Sequence, residues 1–190
     1  MMSNFTREFI SRNKISFTGM RETALSLLPN DKMVLDKLYN DLKRGINILD
    51  DEMHLNMYLR SFGKMHKAKL DTAFTCLPDI SSIFSEEIEV YDWGCGQGIA
   101  SICLLDFLRS KKIAHSIVAV NLIEPSVSAT QRAREVLSCY EDIRVNVVNK
   151  VFDDLDEQDF VRSNHRKLHL FSNILDVDAF DLAQFIHLFQ

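Results

Sequence analysis

The sequence predicts an α/β fold: a mostly parallel sheet preceded by a helical N-terminal region. Three observations predict it. From residue 86 onward, short apolar runs alternate with helical stretches, the pattern of βαβ units. Ser116 to Ile123 is nearly continuously apolar, as a strand buried on both faces requires. Three of the six glycines, Gly94, Gly96 and Gly98, fall within five residues, between a strand and a helix.

A chain of 190 residues is one domain, or one domain with a small appendage, and is long enough to bury a sizeable core. The division expected is a helical region over residues 1–85 and a sheet-bearing core over 86–190. In the first region Leu35, Leu38, Tyr39, Leu42 and Ile46 recur at helical spacing, and Asp31 in Pro29-Asn30-Asp31 stands where an N-cap belongs. A second helical stretch runs from Asp51 to Cys76, with Gly63 as the place where it bends or breaks. Pro78 and Ser81-Ser82 mark the boundary with the core.

In the core, Ile88 to Asp92 is the first strand, Ile99 to Leu108 a helix and Ser116 to Ile123 the second strand. Ser126 to Tyr140 is helical, Ile143 to Val148 is a third strand, Lys167 to Ile174 a fourth, and Ala179 to Phe189 a final apolar helix.

Composition narrows the class. An apolar fraction of 46% with 26% charged residues is that of an ordinary globular chain. No apolar run is long enough to span a bilayer, and the N-terminus leads into no signal-like apolar segment, so a cytoplasmic protein with no membrane partner is expected. Cys76, Cys95, Cys103 and Cys139 form no C-x-x-C pair, so no metal site is expected and the thiols read as reduced. A net charge of −5 is not that of a general nucleic-acid binder. A local basic face at Arg60, Lys64 and Lys67, with Lys69 nearby, stands beside the plainer reading of a solvated helix face.

The glycine loop separates two cofactor classes by spacing. A dinucleotide fingerprint needs its third glycine at position 99, which is Ile99. The observed Asp92-Trp-Gly-Cys-Gly-Gln-Gly98 instead resembles the acid-x-G-x-G-x-G motif of class I S-adenosylmethionine (SAM)-dependent methyltransferases, which have a Rossmann-like fold. Glu124, in Leu122-Ile-Glu-Pro-Ser126, closes the second strand 26 residues after Gly98. An ionised carboxylate accepts only, through two oxygens, and can bind two ribose hydroxyls.

This resemblance implies SAM as cofactor. It places Asp92 near the amino-acid end of SAM and the backbone of Gly94, Cys95, Gly96 and Gly98 against it, with Glu124 and the adjoining Pro125 at the ribose. In the loop after the third strand it points to Asp153 beside the adenine, with Asn149 and Val151 as alternatives and a solvated acidic loop as the plain reading. At the end of the fourth strand it points to Ser172 and Asn173. The one catalytic candidate is Asp176, which also reads as a first-turn helix acid. Cys95 reads as a small loop residue rather than a nucleophile, Trp93 as packing and His169 as a structural histidine. A further resemblance is to the methyltransferase-like family linked to mitochondrial small ribosomal subunits, which has a helical region before the same core; the cysteine ligands of that family's iron–sulfur site are not apparent here.

The function this implies is SAM-dependent methyl transfer to an acceptor of unspecified class (small molecule, protein or RNA). The alternative is a non-catalytic SAM-binding or interaction module on the same scaffold. The family's sheet has seven strands and four are legible here, so the core is expected to be incomplete at its C-terminus. An open sheet edge would invite a second copy or a partner chain.

Overall fold

The computed structural model describes residues 2–43, 47–140, 143–160, 162–172 and 174. The expected positions Ile46, Asn173, Asp176 and the helix Ala179 to Phe189 lie outside the described residues. Before the sheet come α1 (Asn4–Ser11), α2 (Phe17–Ser26), α3 (Lys32–Asp41), α4 (Glu52–Ser61), α5 (Gly63–Thr75) and the short α6 (Ile80–Ile83). The core follows as β1 (Glu87–Trp93), α7 (Ile99–Lys111), β2 (Ser116–Ile123), α8 (Val127–Leu137), β3 (Arg144–Val148) and β4 (Arg166–Phe171).

Local chemistry sets these limits. Asp31 caps α3 by accepting the Met33 and Val34 amides, and Asp51 caps α4 by accepting those of Met53 and His54. The stretch from Asp51 to Cys76 divides at Phe62–Gly63, where the glycine signal stood. Ser3 and Ser16 cap α1 and α2 in the same way.

The four strands among the described residues are all parallel, in the order β3-β2-β1-β4. Stepping outward in one direction and then reversing beside β1 is the Rossmann-like arrangement, and it puts the switch point between β1 and β4. β4 ends at Phe171 rather than at Ile174, the end expected from the sequence. Pairing stops there because Phe171 faces Trp93, the last residue of β1.

The register aligns the strand ends. Trp93 pairs with both Ile123 and Phe171, and Ile123 with Val148. The residues that follow, Gly94, Glu124, Asn149 and Ser172, therefore stand in one row along the carboxyl edge.

One face of the sheet presents Ile88, Val90, Ile117, Val120, Leu122 and Leu170 to α7 and α8. Nine of the thirteen residues of α7 are buried. A helix apolar on nearly every side must be covered on every side, and here the second cover is the N-terminal layer. Phe5, Phe9, Phe17, Met20, Leu59 and Phe74 belong to the same continuous core as Ile102, Leu104 and Leu108. Asp106, a half-buried acid on α7, accepts the Phe17 amide at the start of α2 (2.7 Å) and the Tyr140 hydroxyl (2.9 Å). The opposite sheet face carries Tyr91, Trp93 and Ile123, covered by Leu155, Phe152, Phe160 and Ile174. Among the described residues no helix is long and apolar enough to cross a membrane.

Candidate functional site

The site grows from the loop that joins β1 to α7. Its three glycines all have positive φ: Gly94 at 60°, Gly96 at 49° and Gly98 at 72°. At Gly94 an added Cβ would run into the Ile174 side chain. At Gly96 an added Cβ would meet nothing within 4 Å. The outer side of the loop is thus open at Gly96, where a bare backbone can approach a ligand.

Two acids hold this loop. Asp92 is fully buried at the end of β1, and its Oδ2 accepts the Ser101 amide (3.1 Å) and hydroxyl (2.7 Å) in the first turns of α7. Its Oδ1 is the buried side-chain oxygen that lacks a hydrogen-bond partner among the described residues. Burial pushes the Asp92 carboxyl up to about 6, against the Ser101 hydrogen bonds, and the charge of Glu124 adds to the rise.

Glu124 follows β2. Its Oε2 accepts the Gly96 amide (3.2 Å) and its Oε1 the Ser126 amide (3.0 Å). Burial raises its pKa, while these two amides act in the opposite sense. Each carboxylate oxygen has two acceptor positions, so one on each stays available beyond the backbone contacts. Neither Asp92 nor Glu124 has a cationic side chain within ion-pair distance among the described residues.

The remaining predicted residues fall at graded distances from this centre. Cys95 is buried, its amide donates to the Ile123 carbonyl (3.1 Å), and burial holds its thiol well above the ordinary range. It is a loop-packing residue and stays a thiol at neutral pH. Pro125 is half-buried between Glu124 and Ser126, and Ser172 is half-buried just past β4. Asp153 is exposed in a 3-10 turn, Phe152–Asp154, and Val151 is exposed just before it. Asn149 of that loop is tied to the site: its Nδ2 donates to the Glu124 carbonyl and to Thr130 Oγ1, both at 2.9 Å. Trp93 is buried and donates through Nε1 to His169 Nδ1 (3.0 Å), as a packing tryptophan and a structural histidine should.

The N-terminal layer also borders the site, through contacts that no sequence motif marked. Ser126 donates to the Leu49 carbonyl (2.5 Å) and Ser128 to that of Asp50 (2.7 Å). Gln97, inside the glycine loop, donates to the Leu55 carbonyl of α4 (2.9 Å). Tyr58 of α4 stacks on His66 and is pushed up to about 12 by burial and by the charge of Glu124.

These features fit an adenosyl cofactor with a cationic centre. The open side of Gly96 admits close approach, and Glu124 retains acceptors for vicinal hydroxyls. Among the described residues neither Asp92, fully buried, nor Glu124, half-buried, has a cationic side chain at ion-pair distance.

No family model matches the chain, and no curated protein matches it. Among solved structures it is similar to the plantazolicin methyltransferase BpumL in complex with S-adenosylhomocysteine (SAH), at 14% identity and a TM-score of 0.35. That match covers 65% of this chain and 46% of the other, so the chain spans less than half of that structure's length. The α/β, Rossmann-like assignment follows from the strand order and the loop at its carboxyl edge.

Proposed function

We propose that this chain binds SAM at the carboxyl edge of its sheet and serves as a methyltransferase. The observation that carries the reading is the bond from the Gly96 amide to Glu124, which closes the acid-x-G-x-G-x-G loop against the acid of the second strand. It leaves an open backbone position beside a carboxylate with acceptors to spare. In this reading Glu124 takes the ribose hydroxyls, the bare Gly96 backbone lies against the cofactor, and Asp92 fixes the loop to α7. Asn149 holds the Glu124 backbone in place.

SAM supplies an activated methyl group on a sulfonium. The protein's share is alignment of acceptor, methyl and leaving sulfur, and proximity carries much of the rate in such a reaction. The acceptor is set by elements around the carboxyl edge, which include α4 and Ser172 just past β4.

Calorimetric titration of the intact chain with SAM and SAH tests the reading. The expected result is saturable binding of both, abolished by Gly96→Arg and strongly weakened by Glu124→Ala. Absence of binding by the intact chain, or binding indifferent to both substitutions, overturns it. Transfer of labelled methyl groups to small-molecule, protein or RNA fractions then separates an enzyme from a binding module.

A further inference from the structure

We propose that Asn56, Arg132 and Gln97 form a buried polar clasp through which the N-terminal helices hold the glycine loop in its ligand-binding shape. The ligand in this inference rests on the cofactor reading above; the clasp itself rests on side-chain contacts. The three residues come from α4, α8 and the loop, and are 1%, 3% and 2% exposed.

Arg132 is the centre. Its Nη1 donates to Asn56 Oδ1 (2.8 Å) and to Gln97 Oε1 (2.9 Å), and its Nη2 points to the Glu52 carbonyl at 3.5 Å. The guanidinium lies over the Phe5 ring of α1, 4.0 Å from its centroid. Gln97 completes the circuit by donating to the Leu55 carbonyl. One side chain of the loop thus bonds to α4 directly and again through Arg132.

The choice of partners is unusual. A buried guanidinium ordinarily faces a carboxylate, because desolvating an unpaired charge is costly. Here, among the described residues, its hydrogen bonds go to two side-chain amides and a backbone carbonyl, and it lies over a ring face. The charges of Glu52, Glu135 and Asp51 act on it without forming an ion pair. Burial lowers its pKa to about 10, so it remains charged at neutral pH. A charge held by neutral amides adds little net stability, but its directional donors fix where Asn56 and Gln97 stand.

The loop needs such fixing. Gln97 lies between Gly96 and Gly98, both at positive φ, and glycine resists neither sign of φ. Backbone preference alone therefore does not select this conformation. Glu124 holds the Gly96 amide from one side, and the clasp holds the next residue from the other. The helical layer is then part of the site, and Asn56 and Arg132 are positioning residues.

The test uses the full chain and two readouts, hydrogen exchange of the Gly94–Ile99 amides and calorimetric titration with SAH. Asn56→Leu and Arg132→Met should each accelerate loop exchange by about tenfold or more while leaving β2 amides unchanged. They should weaken SAH binding by about tenfold, and the double variant should add little to either single one. Asn56→Asp, which keeps the acceptor oxygen, should restore both readouts. If Arg132→Met fails to fold, Asn56→Leu and Gln97→Met carry the same comparison.

Unchanged loop exchange in the clasp variants overturns the proposal, as does acceleration spread evenly through β1 and β2. A wild-type chain that binds no SAH, yet shows loop-specific acceleration in the variants, upholds the clasp and sinks the cofactor reading.

Discussion

Glu124 Oε2 accepts the Gly96 amide at 3.2 Å, across the gap between the ends of β2 and β1. The same carboxylate turns its other oxygen to the Ser126 amide at the start of α8. One side chain therefore sets the loop and the second helix relative to each other, and presents what remains of its acceptor capacity outward. Glu124→Gln keeps the shape but puts an NH2 where one of two amide donors must be met. We expect a loss of stability of about 1–3 kcal/mol, the cost of an unsatisfied buried donor. Affinity for SAH should fall more than affinity for an analogue lacking the ribose 2′-hydroxyl. Denaturant titration and parallel calorimetry check the two parts, and equal losses for the two ligands would remove Glu124 from the ribose.

The two glycines at the ends of Gly94-Cys95-Gly96 should respond differently to the same substitution. Gly96→Ala meets no neighbour and carries only the left-handed backbone penalty, roughly 1–2 kcal/mol. Gly94→Ala carries that penalty and also overpacks against Ile174, for a total of roughly 2–5 kcal/mol. Ligand binding should invert this order. The methyl of Gly96→Ala projects into the open side of the loop and should abolish SAH binding in a well-folded protein. Thermal melts with and without SAH measure both effects.

Asp92 should leave a signature in the dependence of stability on pH. Its folded pKa of about 6 lies above its ordinary value of 3.8. A raised folded pKa favours the folded state at low pH, and that contribution is lost as pH rises from about 4 through 6. The loss is on the order of 2–3 kcal/mol for a shift of about two units. Asp92→Asn removes the titration. Its stability relative to wild type should therefore rise between pH 4 and 7 and level off above. A difference that stays constant over that range refutes the assignment.

Those acids also predict proton release on binding. A ligand cation near Asp92 and Glu124 favours both charged forms, lowering pKa values that burial holds up. Binding of SAM near pH 6 should release protons, and binding of the uncharged sulfur of SAH should release fewer. Titrations in buffers of different ionisation enthalpy measure the number. Proton uptake with SAM would contradict the electrostatic account.

What the sequence could disclose followed from distance along the chain. The β1–loop–α7 unit, Glu124 and the break at Gly63 were legible because each signal is local: a period, a glycine or an acid closing an apolar run. Asp31 as a cap was legible for the same reason. The end of β4 was misjudged because it is set by where its partner β1 stops, at Trp93 opposite Phe171, and that pairing is not a local signal. The clasp was illegible because Arg132 stands 35 residues from Gln97 and 76 from Asn56. An arginine on an amphipathic helix reads as solvated, and only the approach of Asn56 on α4 and of Gln97 in the loop makes Arg132 a centre. The tie from the Asn149 amide to Thr130 on α8 was likewise illegible, a contact no spacing rule contains.

The joint between α3 and α4 supplies a last expectation. His54 bonds to Asp51 through Nδ1 and approaches Asp41 Oδ2 through Nε2 at 3.4 Å, linking the end of α3 to the start of α4. Burial alone would lower its pKa, but the two carboxylates more than offset this and leave it raised. A raised histidine stabilises the folded state fully below its unfolded value of 6.5 and ceases to do so as pH climbs through the folded value. The segment Leu49–Asp51, which carries the carbonyls that Ser126 and Ser128 bind, lies directly before α4. Raising pH from 6 to 9 should therefore speed amide exchange at the start of α4 beyond the intrinsic effect of hydroxide. His54→Gln, uncharged throughout, should show the faster corrected exchange already at pH 6 and no further change. Equal corrected rates for the two proteins at pH 6 would show that the imidazolium does not hold this joint.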